Sequence, residues 1–60
     1  MDRKYNDIHY ITKHEEFVSR EVEIKQIRFL IGVIEIDYEI LGVRKTIVFP
    51  KIYGSKLIID

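Results

Sequence analysis

The chain has 60 residues, no cysteine, and ten basic against ten acidic side chains. That length allows one domain, which can bury only about 60% of the surface its unfolded form exposes and is marginal without further support. The missing cysteines exclude disulfides and thiolate metal centres, and a zero net charge lacks the basic excess of a general nucleic-acid binder.

Hydrophobic residues make up 47% and charged residues 33% of the chain, a globular balance with a somewhat high charge content. The start, M-D-R-K-Y-N-D, has no apolar segment behind its charges, so no signal peptide is expected. No apolar run approaches the ~18 residues of a membrane span. A soluble protein of the cytoplasm is the expectation. Isoleucine accounts for roughly a fifth of the residues while alanine and tryptophan are absent. Isoleucine, lysine, tyrosine and asparagine codons are rich in A and T. The composition points to an AT-rich genome, such as a low-GC bacterium, its phage or an archaeal virus.

In chain order, Asn6-Asp7 reads as a turn. Residues 8–11 form a candidate strand with Ile8 and Tyr10 on one face. Thr12 followed by Glu15 fits a helix capping box, which predicts a short helix or helical turn from about Lys13. The same segment also reads as a strand, with Val18, Val22 and Ile24 on one face and Ser19, Glu21 and Glu23 opposite. The helix is expected to give way to strand by about Glu21.

Residues 27–41 are the most apolar part of the chain, but their phase shifts twice. The apolar positions run 22 and 24, then 27, 29 and 31, then 34, 36, 38 and 40. One extra residue in a strand moves every later side chain to the other face. A bulge near Lys25-Gln26 accounts for the first shift and Gly32 for the second. A straight strand over 22–40 would be ~60 Å long, so the segment must bend or fold back.

Gly42 marks a hairpin. A two-residue loop at Leu41-Gly42 pairs Ile40 with Val43, Glu39 with Arg44, Tyr38 with Lys45, Asp37 with Thr46, Ile36 with Ile47 and Ile34 with Phe49. Leu is a poor first residue for a type I′ turn, so a three-residue loop with a glycine bulge is the alternative. Pro50 ends that strand or lies on an edge. Ile52 and Tyr53 continue it briefly, Gly54-Ser55 is a turn, and residues 56–60 make a last strand.

Chemistry is sparse. Glu35, Asp37 and Glu39 project from one strand face about 7 Å apart. A flat row does not converge as a Ca²⁺ or Mg²⁺ site requires, and Arg44 with Lys45 is its expected partner. His9 and His14 are five apart, where a helical metal pair needs three or four. Neither serine sits in a nucleophile motif, and there is no glycine-rich phosphate loop. No cofactor and no enzyme activity are expected. The seven aromatics are read as packing residues in preference to base-stacking ones.

The fold expected is a small β-rich single domain: a curved antiparallel meander with a short N-terminal helix or helical turn. An α+β form with a helix over about 13–26 is the alternative. Exposed strand edges invite pairing with a second copy or strand addition to a partner. The function expected is a protein-binding module, homodimeric, that inhibits or modulates another protein. Its compositional style is that of short phage or virus early proteins, which act on host enzymes or defence systems by direct binding. A small-barrel nucleic-acid binder or transcriptional regulator is the alternative. Ile27, Phe29 and Ile31, which lack an evident strand partner, are the candidate contact residues, together with Glu35, Asp37, Glu39 and Tyr53.

Overall fold

The structure is a computed structural model that describes residues 4–60. Met1 to Arg3, part of the charged start on which the signal-peptide reading rests, lie outside the described residues. Five strands form one antiparallel sheet: β1 (Asn6–Ile11), β2 (Glu16–Phe29), β3 (Val33–Ile40), β4 (Val43–Pro50) and β5 (Lys56–Ile59). The order across the sheet is β4-β3-β2-β1-β5. The first four strands are a meander; β5 departs from it by returning to pair with β1.

The sheet is rolled. Fourteen residues of straight strand would run to about 43 Å, yet the longest extent of the molecule is 33 Å. Two bulges bend β2. The first lies at Arg20-Glu21, where Ile8 faces Ser19 but Asn6 faces Val22. Glu21 there has φ 56°, and its N–H donates to Asp7 Oδ1 at 2.9 Å. The second lies at Lys25, between the Ile24–Tyr38 and Gln26–Asp37 pairs. Each bulge inverts the alternation, so Phe17, Val22, Ile24 and Ile27 all point inward despite their mixed spacing. In a flat sheet β1 and β4 would lie about 14 Å apart. Here Tyr10 of β1 stacks on Phe49 of β4, ring centroids 4.6 Å apart, and Phe17 meets the same ring edge-on at 5.5 Å. The Tyr10 hydroxyl also donates to the Pro50 carbonyl. Ile8, Tyr10, Val22, Ile36, Tyr38 and Phe49 form the buried centre of the roll.

The β3–β4 hairpin has the register read from the sequence, pair for pair. Its loop is the two-residue one. Leu41 and Gly42 both have positive φ, 51° and 77°, the signature of a type I′ turn.

Four expectations are corrected. There is no helix among the described residues, so neither the short N-terminal helix nor the helix over 13–26 exists, and none could cross a membrane. The Thr12 signal was real but served a turn. The Thr12 hydroxyl oxygen accepts from the His14 and Glu15 N–H groups, at 3.2 and 3.1 Å, inside the β1–β2 hairpin loop. A side chain that caps a helix start closes a tight turn by the same bonds. Asn6 and Asp7 are the first residues of β1, with no turn between them. Finally, Gly32 is not a bulge within a strand. It lies in the loop that reverses the chain between β2 and β3, closed by Leu30 N–H to the Val33 carbonyl at 3.0 Å. The apolar run folds back on itself: Ile27 pairs with Ile36 and Phe29 with Ile34, so the missing partner of its first half is its own second half. Ile52 and Tyr53 likewise leave the strand and enter the next turn, where Ser55 N–H donates to the Ile52 carbonyl at 2.9 Å.

Candidate functional site

The acidic row of β3 lies on the outer face of the sheet, as alternation requires, and it is neutralised from an unforeseen side. Arg28 on β2 projects between Glu35 and Asp37. Its Nη1 and Nη2 donate to the two Asp37 carboxylate oxygens at 2.7 and 2.8 Å, and its Nε donates to Glu35 Oε1 at 2.8 Å. Thr46 on β4 adds a hydroxyl hydrogen bond to Asp37 Oδ1 at 2.7 Å. The bidentate fork is the strongest carboxylate geometry available to an arginine. The Arg28 hydrogen bond, then that of Thr46, holds the Asp37 carboxyl at about 2, below its usual 3.8. The Arg28 guanidinium is raised in turn, by Asp37 first and Glu35 second. Arg44 faces Glu39 across the β3–β4 ladder, as the hairpin register requires, while Arg28 serves Glu35 and Asp37. This clamp ties three strands together. Arg28 is not evident from the sequence because its place opposite Glu35 follows only once residues 27–29 are paired with 34–36.

The exposed apolar residues gather elsewhere. Lys51 N–H donates to the Gly32 carbonyl at 2.9 Å, joining the β2–β3 loop to the segment after β4. That single bond sets Leu30 and Ile31 beside Ile52 and Tyr53 at one end of the roll, with Phe29 at the adjoining end of β2. All five are exposed, Ile31 and Tyr53 almost completely, at 103% and 96%. Of the residues singled out from the sequence, Phe29, Ile31 and Tyr53 meet at this end. Ile27 is half-buried against the core, and the three acids lie on the outer face. Leu30 and Ile52 went unnoticed, since their exposure depends on the two loops that the apolar run conceals.

Three clefts mark the described surface, one of them, of about 430 Å³, lined by Lys4, Tyr5, Asp7 and Glu21. Another, of about 380 Å³ at the opposite end, is lined by Lys4, Tyr5, Glu21, Glu23, Glu39, Leu41 and Gly42. The third, of about 320 Å³, lies between β4 and the β1–β2 hairpin; Glu15, Glu16 and Phe17 line one side and Ile47 to Pro50 the other. Among the described residues no three histidine, aspartate or glutamate side chains group as metal ligands would. His9 lies 3.8 Å from Asp60 and 14 residues of β2 carry no histidine to join it. Four of the seven aromatics, Tyr10, Phe17, Tyr38 and Phe49, belong to the core or pack on it.

Comparison of the chain with protein-family models, with curated proteins and with solved structures gives no match. The functional reading therefore rests on the geometry above.

Proposed function

We propose that this chain is a small protein-binding module that self-associates and acts by occupying another protein. The observation that carries the reading is the apolar end formed by Phe29, Leu30, Ile31, Ile52 and Tyr53. Apolar residues scattered singly over a surface need no explanation, but a contiguous group marks an interaction site. Ile31 and Tyr53 sit at the tips of two loops that are tied together, so the group is presented on a fixed frame. An exposed aromatic such as Tyr53, buried on association, is the anchor that interface centres favour. The Ile-rich composition fits a phage- or virus-encoded binder of a host enzyme or defence protein. The acidic row is held by Arg28 and Thr46, which supports a structural use for Asp37 more than a contact one.

The test is capture of partners from the host cell with the tagged chain and with an Ile31→Lys/Tyr53→Lys variant. Both positions are exposed, so the variant is expected to keep the wild-type circular dichroism spectrum. A protein retained in stoichiometric amount by the wild type and lost with the folded variant supports the reading. Equal capture by both refutes the assignment of this end.

A further inference from the structure

We propose that the free edge of β4 pairs antiparallel with β4 of a second copy, about a two-fold axis at Thr46. The inference rests on the self-association read above and assigns it a surface distinct from the apolar end. β4 is an outermost strand of eight residues, bonded to β3 on one side only. A two-residue hairpin loop is closed by a hydrogen-bonded pair, here Ile40 and Val43. Bonding alternates from there, so the backbone groups of Arg44, Thr46 and Val48 point away from β3. Pro50 confirms the phase. Its carbonyl, in the same outward set, accepts from Tyr10 and from Ile52 N–H, and it has no N–H to lose from the ladder.

Three antiparallel registers centre on this edge, and they are not equivalent. Centring on Lys45 sets two lysines face to face, a destabilising pair. Centring on Ile47 sets Arg44 against Pro50, which offers no donor. Centring on Thr46 pairs Arg44 with Val48 of the second copy and Thr46 with its own equivalent, so every outward donor meets an acceptor.

Charge selects a second copy as the occupant. The start of β4 is basic, Arg44 and Lys45. The cleft beside its other half is walled by Glu15 and Glu16 opposite Ile47 and Val48. In the Thr46-centred register, Lys45 of the second copy lies against Ile47 and its Arg44 against Val48. Lys45 of the incoming strand shares the face of Ile47 and therefore arrives beside the glutamates, while Arg44 projects from the other face; two-fold symmetry makes the Lys45 contact twice. Edge strands that must stay single are protected by charges, proline, bulges, short length or cover. In β4 the charges Arg44 and Lys45 and the proline Pro50 stand towards the ends, and Thr46 to Phe49 between them carries none.

The test is amide hydrogen exchange on the wild type, from dilute to micromolar concentration, with light scattering on the same samples. Association that slows exchange of the Arg44, Thr46 and Val48 amides about tenfold or more supports the pairing. Val48→Pro removes an outward donor at an edge position and is expected to abolish both effects. Should that variant not fold, Glu15→Lys/Glu16→Lys is the second probe. It is expected to raise the dissociation constant several-fold, with recovery when Lys45→Glu is added. Association with these three amides still unprotected, or with protection at Leu57 and Ile59 of β5 instead, overturns the β4 pairing and leaves self-association standing. A wild type that stays monomeric overturns both.

Discussion

Leu41 is, with Glu21, one of two non-glycine residues of left-handed backbone among the described residues. It takes φ 51° in the β3–β4 turn and is 97% exposed. Left-handed backbone costs an ordinary residue roughly 1–2 kcal/mol, because Cβ crowds the following carbonyl. Asparagine tolerates that conformation, and Asn-Gly is the preferred type I′ pair. Since the Leu41 side chain has almost no contacts to lose, Leu41→Asn is expected to stabilise the chain by about 0.5–1 kcal/mol. In a domain of this size that raises Tm by roughly 2–8 °C. Gly42→Ala makes the opposite control. Gly42 has φ 77° and open space around the Cβ position, so its cost is conformational alone, about 1–2 kcal/mol of destabilisation. Thermal and urea unfolding followed by circular dichroism measure both. A Leu41→Asn variant no more stable than wild type would refute the two-residue turn or show that Leu41 is covered.

Phe49→Ala is expected to lose about 3–5 kcal/mol, enough to unfold so small a domain, since the ring holds β4 against Tyr10 and Phe17. Its effect should show as loss of the cooperative melting transition. Thr12→Ala is expected to cost about 1 kcal/mol by removing the acceptor of the two loop N–H groups, read from the urea midpoint. Acid should weaken the fold through Asp37. Its carboxyl titrates at about 2 when folded against 3.8 ordinarily, so the folded chain binds the proton less readily. That contribution is complete above the ordinary value and is lost as pH falls from there through about 2. In Asp37→Asn the acid-dependent part of this loss should be smaller, by urea unfolding across the same pH range.

How far the residues betray this fold varies along the chain. The β3–β4 hairpin was legible to the residue, because the strict alternation of β3 and the glycine at 42 give a register that sets Ile36 against Ile47 and Ile34 against Phe49. The bulge at Lys25 was legible from its phase shift. The one at Glu21 was not, since a charged residue in left-handed backbone advertises nothing; an Asp7 carboxylate fourteen residues away holds it there. The β2–β3 reversal was half legible: its length required 22–40 to bend or fold back and Gly32 marked the place, but the loop itself did not show. Ile31 is apolar and fully exposed, so composition made a loop look like strand interior. Ile27, Phe29 and Ile31 look like a contact surface for want of a strand partner, which β3 supplies to Ile27 and Phe29; Ile31 and Tyr53 are exposed by their place in two loops joined through Lys51 and Gly32. That junction is the next rung of the β3–β4 ladder after Val33 and Pro50, so it follows from the hairpin register once that register is carried past Pro50. The Arg28 clamp on Glu35 and Asp37 depends on the same β2–β3 pairing, which the sequence does not reveal.

The central claim is that this chain works by associating, with itself and with a partner. Sedimentation equilibrium of the purified wild type at micromolar concentration tests it most directly. A monomer–dimer equilibrium that weakens as salt is raised is the expected result. A single monomeric species throughout that range contradicts it.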